Sequence, residues 1–449
     1  MEVRDPIHGL IKYSPLEEQV INSRAMQRLR GIHQLAMAYL VYPGAVHTRF
    51  DHSLGVMHVA GQMAESLNKQ DEKKLLSDEE IENIRLAALL HDVGHGPFSH
   101  VSEMPLAALS KDYLEAQSVA PEKVHELVTV DIVTHDDELR STLGERGREI
   151  ANIIALSTTP NVSQSIVSGP LDADKLDYLL RDSYFCGVKY GVYDLERVLD
   201  GLRVISAPSK DSYLGVAEES VAAVEQHLMA RYQMTMQVYR HRIRRSTDIL
   251  LSRAIVAAAD ECGRIRDLYT YEGDAKEFCA RWLAFEDHKL LDAIMTECAG
   301  GDARELVSRL LSRKLPLRVC EMPLTQVGRF LQGKLAKPER RSELEGRIAD
   351  HLGVRRCLVI VDLVQTDPPH PSSTEPGIDP SSIYVDAGEV EPKSFGEVSD
   401  IFSGNPLGGT RRIVVYVPFH SAEKAGRERE RKELSAEVEK MMERWGKEA

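Results

Sequence analysis

The chain has 449 residues, enough for two domains or for one large domain with an appendage. Lys and Arg number 56 against 70 Asp and Glu, and the net charge of −14 argues against a protein that coats nucleic acid by bulk electrostatic attraction. No stretch approaches the roughly 18 uninterrupted apolar residues of a membrane helix, and the first residues lack an apolar signal region, so we predict a cytoplasmic protein without a membrane partner.

Helical periodicity dominates the first two-thirds of the chain. From about Pro15 to Leu311, apolar residues recur at spacings of three and four, as in Val56, Val59, Ala60, Met63 and Leu67. This spacing predicts amphipathic helices. We therefore predict a mostly α-helical protein in which residues 1–312 form one large helical domain.

A histidine stands at the start of one of these helices. His52 lies one turn before Val56 on the apolar face, so its side chain is predicted to point inward. An inward histidine is either a hydrogen-bonded core residue or a ligand. This segment alone leaves both interpretations open.

The clearest local pattern is an apolar helix that ends in a His-Asp pair, His91-Asp92. The helix is terminated by Gly94, Gly96 and Pro97. At a helix end, two adjacent side chains can converge on one ion, and imidazole with carboxylate suits a first-row divalent metal. A capped helix end without a metal is the alternative. The other such dipeptide, His135-Asp136, lies in a polar stretch and is predicted to be on the surface.

A third segment, Asp172–Asp182, places its polar residues on one arc of a helix and its leucines on the other. The polar arc consists of Asp174, Asp177, Tyr178, Arg181 and Asp182. A solvated surface would account for such an arc, but Tyr together with paired Asp and Arg is more typical of a cavity wall.

The last third of the chain has a different texture. Leu317–Cys320, Leu358–Leu363 and Ile413–Val417 are short β-branched runs that predict strands, and Glu423–Glu448 predicts a charged terminal helix. Asp367–Ser382 is a loop by composition. We predict that residues 313–449 form a smaller α+β lobe with a regulatory or oligomerisation role.

The order of His52, His91-Asp92 and Asp174 resembles that of the HD-domain phosphohydrolases. Longer segments resemble the deoxynucleoside triphosphate triphosphohydrolase branch, which includes the vertebrate enzyme with a sterile-alpha-motif domain. These segments are Asp5–Gly9, Gln27–Arg30, Phe50–Val56, His91–His100 and Asp174–Tyr178. The resemblance is dense over residues 2–250, the HD core, and thin afterwards.

The resemblance implies hydrolysis of deoxynucleoside triphosphates to a deoxynucleoside and inorganic triphosphate. It implies one or two divalent ions (Fe, Mn, Zn or Mg) held by His52, His91, Asp92 and Asp174. Such an ion activates water and withdraws charge from the attacked phosphoryl group. Enzymes of this kind form homo-oligomers, so a dimer or tetramer is expected.

The resemblance also assigns catalytic and substrate residues. His100 with Glu103 matches the family's proton-donating His-carboxylate pair, and His95 and His125 match histidines near the phosphates. Residues expected to bind phosphate are Arg49, Lys175 and Arg231, and those expected to hold the sugar are Gln34, Tyr178, Asp182 and Tyr239. The chain departs from the vertebrate pattern at Glu103, where that enzyme has Asp, and at Thr235, where it has a His lining the pocket.

A nucleotide effector site is implied by Gln27, Arg30 and Arg197. Asn22 stands where the vertebrate enzyme has the Asp that reads guanine. A carboxylate accepts both hydrogen bonds from the guanine edge, whereas an amide offers one acceptor. We therefore predict a relaxed preference for guanine.

Two alternatives remain at this point. The same metal site could cleave another nucleotide or single-stranded nucleic acid, and the basic run Arg240–Arg245 leaves a nucleic-acid partner open although the overall charge does not favour one. Alternatively, the protein could be a nucleotide sensor without turnover. Product analysis separates the first alternative, and a turnover assay the second.

Overall fold

The computed structural model describes residues 1–70, 74–155, 161–206, 212–298, 300–366, 383–388, 392–402, 410–418 and 424–447, so the predicted loop Asp367–Ser382 lies outside the described residues. The α-helices are, in chain order, Pro15–Ile21 (α1), Arg24–Arg28 (α2), Arg49–Gln70 (α3), Asp78–Leu90 (α4), Glu103–Leu109 (α5), Lys111–Ala116 (α6), Val124–His135 (α7), Asp137–Leu143 (α8), Arg146–Ile154 (α9), Val162–Val167 (α10), Ala173–Cys186 (α11), Leu195–Asp200 (α12), Val221–Met234 (α13), Arg242–Glu261 (α14), Gly263–Leu268 (α15), Ala275–Trp282 (α16), Asp287–Glu297 (α17), Asp302–Leu311 (α18), Arg329–Ala336 (α19), Pro338–Leu352 (α20), Phe395–Val398 (α21) and Lys424–Lys447 (α22). The strands are Glu2–Asp5 (β1), Gly9–Lys12 (β2), Leu202–Ser206 (β3), Ser212–Ala217 (β4), Leu317–Pro323 (β5), Ile360–Thr366 (β6), Tyr384–Asp386 (β7), Lys393–Ser394 (β8) and Thr410–Val417 (β9).

The predicted predominance of helix is confirmed. Within these ranges, no helix combines the length and apolar character needed to cross a bilayer.

The chain divides into two compact units, of which the first comprises residues 1–239, 263–293 and 369–406. Its core includes the predicted apolar stripe of α3, whose residues Val56, Val59, Ala60 and Met63 are fully buried. The strands β1 and β2 form an antiparallel hairpin, and a second sheet has the order β3-β4-β7-β8. Strand β7 runs parallel to β4, so a late segment of the chain completes this sheet.

The second unit comprises residues 240–262, 294–368 and 407–449. Strands β5, β9 and β6 form an antiparallel sheet in that order, at the three places where the sequence predicts strands. Helices α19, α20 and α22 contribute to a common apolar core with this sheet. Representative buried residues of that core are Val319, Leu335, Leu344, Ile348, Val361, Val415 and Trp445.

This division differs from the predicted boundary between residues 312 and 313. Helices α14 and α18 pack against each other, so both belong to the second unit although they precede residue 313. Conversely, β7 and β8 follow residue 313 and pair within the first unit. The predicted division into a helical core of residues 1–312 and a regulatory or oligomerisation lobe of residues 313–449 stays a prediction.

Two helix ends fix the positions of the predicted site residues. Helix α4 begins with a capping box between Ser77 and Glu80 and ends at Leu90, directly before His91-Asp92. Helix α11 begins after Asp172, whose side chain accepts a hydrogen bond from the Lys175 backbone, so Asp174 falls in its first turn.

Candidate metal centre and active site

Helices α3 and α11 approach each other closely at a glycine. A Cβ atom on Gly55 would lie 1.9 Å from Asp177 Oδ1 and 2.3 Å from Arg181 Nη2. The helices can therefore cross this closely only because residue 55 has no side chain. His52, three residues earlier on α3, is fully buried and contacts α11 through its ring nitrogens. The predicted inward orientation of His52 is confirmed, and the crossing sets it against the polar arc of α11.

The chain turns sharply after α4, and this turn carries His91 and Asp92. His91 Nδ1 lies 2.7 Å from Ala88 O, to which it donates a hydrogen bond. A Cβ atom on Gly94 would lie 2.3 Å from His125 O, so this glycine allows the turn to press against α7. The turn thus brings the His-Asp pair beside a histidine of another helix.

The four predicted metal ligands come together in one group. His52 Nε2 lies 3.0 Å from Asp174 Oδ1 and 3.7 Å from Asp92 Oδ2. His91 Nε2 lies 3.2 Å from Asp92 Oδ1 and 3.8 Å from Asp174 Oδ1. The ligand atoms of His52, His91 and Asp174 are all within 4.8 Å of one another. Two imidazoles and two carboxylates suit a first-row divalent cation.

The tautomers of both histidines fit a bound cation. His52 Nδ1 is 2.8 Å from Asp177 Oδ2, and His91 Nδ1 donates to a backbone carbonyl. With Nδ1 of each ring held in this way, Nε2 is the nitrogen that would bind a cation, which would displace the proton that Nε2 otherwise carries. Among the described residues, the buried His91 Nε2 makes no well-directed hydrogen bond, although the carboxylates of Asp92 and Asp174 lie near it. This unsatisfied atom and the acidic donor set support a cation at this position.

The charges of the predicted metal ligands and their neighbours favour a bound cation. Burial opposes a charged imidazole, but hydrogen bonds with Asp174 and Asp177 outweigh it and raise the pKa of His52 to about 10. Burial also opposes ionisation of Asp92, yet Arg49 and His91 hold the pKa of that carboxyl well below its usual range. The carboxylates are therefore ionised and available to a cation near neutral pH.

A second group contains the predicted catalytic residues His95, His100, Glu103 and His125. Glu103 Oε1 lies 2.8 Å from His100 Nδ1, 2.6 Å from His125 Nδ1 and 3.6 Å from His95 Nδ1. The rings of His95 and His125 stack with centroids 4.0 Å apart. The longer arm of glutamate therefore reaches His100, at the position where the sequence departs from the vertebrate pattern. Burial opposes ionisation of Glu103, but the histidines hold its pKa below the usual range.

Asp92 connects the two groups. Its Oδ1 atom lies 3.2 Å from His91 Nε2 and 3.3 Å from His95 Nε2. Its Oδ2 atom accepts a hydrogen bond from Arg49, which is buried and also donates to Ser99 Oγ. Arg49, predicted to bind phosphate, is therefore engaged with a predicted metal ligand in this structure.

The other two cations predicted to bind phosphate act on the same tyrosine. Lys175 and Arg231 both influence the electrostatics of Tyr178, whose pKa burial raises and these cations lower in part. Lys175 Nζ donates to Asp172 Oδ2 at 2.6 Å and to Gly169 O at 3.0 Å. Burial opposes the charged form of Lys175, but Asp172 and Asp174 outweigh it and raise the pKa of Lys175, while Arg231 lowers it in part.

Two of the predicted sugar residues, Asp182 and Tyr239, are joined by a hydrogen bond. Tyr239 donates to Asp182 Oδ2 at 2.7 Å, and His47 Nε2 lies 2.8 Å from Asp182 Oδ1. The rings of Tyr178 and Tyr239 meet edge to face at 6.1 Å. Gln34 is buried, and its Oε1 atom has no partner among the described residues. Thr235 and Tyr239 bound one turn of π-helix, a distortion that is frequent at functional sites.

The predicted effector residues are only partly adjacent. Arg30 Nε donates to Gln27 Oε1 at 2.9 Å, and its guanidinium covers the Phe50 ring at 3.6 Å. Asn22 ends α1 and is exposed. Arg197, in α12, donates to Glu219 O. The structure joins Gln27 with Arg30 and leaves the effector site itself a prediction.

Three buried residues of this region were given no role by the sequence patterns: His8, Asp177 in its contact with His52, and His47. Each touches a predicted site residue or its direct support. Asp177 and His8 do lie in segments that resemble the family, which is the signal that pointed to them. His47 stands two residues before Arg49 and carries no pattern that would have identified it.

Comparisons with known proteins agree with this geometry. Residues 49–182 match the family model described as HD domain, and residues 194–431 match the model described as HD associated region. An uncharacterized protein of Methanocaldococcus jannaschii is 35% identical over 259 residues, which are 58% of this chain and 50% of that protein. The deoxynucleoside triphosphate triphosphohydrolase SAMHD1 of Bos taurus is 27% identical over 349 residues, 70% of this chain and 57% of that enzyme.

The chain thus spans about half the length of these relatives, 50% of the first and 57% of the second. Among solved structures, a phosphohydrolase from Bacteroides thetaiotaomicron has a TM-score of 0.69 at 22% identity, covering 93% of this chain and 100% of that one. This likeness shows a common fold. Because the HD-associated model alone covers more than half of the chain and directly follows the HD match, the chain belongs to the family of HD-domain proteins with an HD-associated region.

Proposed function

We propose that this protein is a divalent-metal-dependent phosphohydrolase that converts deoxynucleoside triphosphates into deoxynucleosides and inorganic triphosphate. The observation that carries the proposal is the position of Asp92. It joins the group of predicted metal ligands to the second group, whose histidines and Glu103 are suited to proton transfer. The partial likeness to a vertebrate enzyme named for this activity supports the substrate class.

His52, His91, Asp92 and Asp174 would hold the cation, of which one or two ions (Fe, Mn, Zn or Mg) suit the donors. When bound, such an ion lowers the pKa of water and withdraws charge from phosphate. Asp174 is the most accessible of the four ligands, with 32% of its side chain exposed. Its exposed edge offers a route by which substrate reaches the group.

His100 is placed to protonate the leaving group. Its side chain is 60% exposed, and its Nδ1 atom is held by the ionised Glu103. Nε2 is therefore the atom that gives a proton to the 5′-oxygen as the bond from phosphorus to that oxygen breaks and water adds to phosphorus. Glu103 stabilises the charged imidazole and fixes its orientation.

Lys175 and Arg231 would neutralise the triphosphate, which carries roughly four negative charges. Tyr178 is influenced by both cations, and its ring meets that of Tyr239, so it would contribute to the boundary between the phosphate and sugar regions. Tyr239, fixed by its hydrogen bond to Asp182, would pack where a 2′-hydroxyl of a ribonucleotide would otherwise fit. Thr235, in the same π-turn, would contribute to the tolerance for different bases.

Lys175→Ala should weaken triphosphate turnover while changing deoxynucleoside binding little. It removes a charge-assisted contact worth about 1.5–3 kcal/mol, so kcat/KM should fall about 10- to 150-fold. Steady-state kinetics and product inhibition by deoxynucleoside measure the two effects. Lys276→Ala, which breaks a surface ion pair with Asp137, is the matched control. Equal losses for charged and uncharged ligands would contradict the phosphate role.

A panel of nucleotides with product analysis tests the function itself. Only the proposed reaction yields intact triphosphate together with a deoxynucleoside. Release of phosphate or pyrophosphate, or cleavage of single-stranded nucleic acid, would assign the site to another phosphoester. Metal-loaded protein that binds dNTPs without turnover would make it a sensor.

We also propose that the protein is a homo-oligomer whose activity needs no guanine effector or responds to dNTPs with little selectivity for the base. The Asn22 amide has one acceptor, whereas guanine presents two donors. The preference of about 1–3 kcal/mol for guanine that a carboxylate at this position would give should therefore be lost. Titrating GTP, dGTP, dATP and dTTP separately against activity and molecular mass tests this. Strict dependence on a guanine nucleotide would refute it.

A further inference from the structure

One buried carboxylate, that of Asp177, contacts the predicted metal ligand His52 on the far side of its ring. Asp177 accepts hydrogen bonds from His52 Nδ1 at 2.8 Å, His8 Nε2 at 2.6 Å, Arg181 Nε at 2.8 Å and Arg181 Nη2 at 2.9 Å. Asp177 and Arg181 are fully buried, and the His8 side chain is nearly so. Each carboxylate oxygen is therefore held from two sides.

The His8 contact comes from the β1–β2 hairpin. Asp5 Oδ1 accepts hydrogen bonds from the backbone nitrogens of Ile7 and His8, each at 2.8 Å. Gly9 follows with φ +75°, a left-handed conformation that favours glycine and lets the chain enter β2. This turn fixes the position from which His8 reaches α11.

Arg181 links the β1–β2 hairpin to helix α11. Its Nη1 atom donates to Asp5 Oδ2 at 2.8 Å, while Nε and Nη2 donate to Asp177. One buried guanidinium thus pairs with two buried carboxylates. Buried charges are stable only when such partners are present, so removing either end leaves an uncompensated charge.

We propose that the β1–β2 hairpin is a positioning element of the metal centre, in which His8, held by Asp5, locks Asp177 and thereby orients His52 Nε2 toward the cation. The inference rests on the proposed cation site and extends it to residues outside the ligand group. His52 alone could rotate or exchange tautomers. With Asp177 Oδ1 occupied by His8 and Arg181, Oδ2 stays aligned with His52 Nδ1, which leaves Nε2 as the ligand atom.

The test measures Mn²⁺ affinity from the EPR signal of free Mn²⁺, on full-length protein stripped with a chelator and without substrate. His8→Gln keeps an N–H donor near the position of Nε2, whereas His8→Met fills similar space without a donor. We expect His8→Gln to stay within about threefold of the wild type and His8→Met to lose about tenfold, since outer contacts of metal ligands are worth about 10- to 100-fold. Arg309→Met, which breaks a surface pair with Glu305, is the control.

A double-mutant cycle shows whether His8 acts through Asp177. Asp177→Asn should cost about 10- to 100-fold in affinity, and adding His8→Met should cost nothing more. Additive losses, or unchanged affinity in His8→Met, would overturn the proposal. If Asp177→Asn does not fold, Asp5→Asn serves in its place, because its amide oxygen can still accept the turn's hydrogen bonds while the charge facing Arg181 is lost. Wild-type protein that binds none of Mn²⁺, Zn²⁺, Fe²⁺ and Mg²⁺ would refute the cation site as well.

Discussion

Asp174→Ala should abolish both metal retention and phosphoester hydrolysis. Asp174 Oδ1 is the oxygen nearest His52 Nε2, at 3.0 Å, so its loss opens the ligand group on the accessible side. Changes to groups that merely support metal ligands cost about 10- to 100-fold in affinity, and loss of a ligand itself should cost more. Metal content of the purified protein and turnover of a dNTP measure the effect.

Asp137→Ala is the matched control for this change. Asp137 also lies in the first turn of a helix, α8, but its side chain is 69% exposed and pairs with the surface cations Arg140 and Lys276. Circular dichroism should show the same helix content in both variants. Wild-type turnover and metal content in Asp174→Ala would show that the ligand group is misassigned.

His100→Ala should reduce kcat about 10²- to 10⁴-fold, the usual contribution of a positioned general acid. KM and metal content should change little, because His100 lies outside the ligand group and is largely exposed. Rapid-quench or steady-state assays with a dNTP give kcat, and metal analysis gives the occupancy.

His135→Ala provides the comparison, since His135 is also partly exposed, with 45% of its side chain accessible, and lies outside both groups. Glu103→Gln should lie between the two, because the amide can still hydrogen-bond His100 but no longer stabilises its charge. Unchanged kcat in His100→Ala would place the proton donor elsewhere, with His125 as the next candidate at 2.6 Å from Glu103.

The local patterns predicted much of this structure. Periodicity identified the buried face of α3, and the glycines after His91-Asp92 indicated the turn. Each of these features depends on residues close together in the sequence. The helical arc of α11 was also predicted, but a helical wheel cannot distinguish Asp174, which faces the ligand group, from Asp177, which supports His52 from behind.

Long-range pairing accounts for what the sequence did not reveal. The hairpin residue His8 contacts Asp177, 169 positions further along the chain. Strand β7 pairs with β4, although two strands of the second unit, β5 and β6, lie between them in the sequence. Neither pairing leaves a local pattern. The π-turn Thr235–Tyr239 was equally hidden, because its extra residue changes the hydrogen-bond register without altering the composition.

The shared carboxylate of Asp92 has an evolutionary consequence. Since one oxygen of Asp92 touches both His91 and His95, a mutation that alters the proposed cation site also disturbs the proposed proton donors, and neither can change alone. The π-turn with Thr235 and Tyr239 carries no member of either group. Under the proposed function, descendants of this chain should therefore diversify in the nucleotides they accept far more readily than in the bond they break.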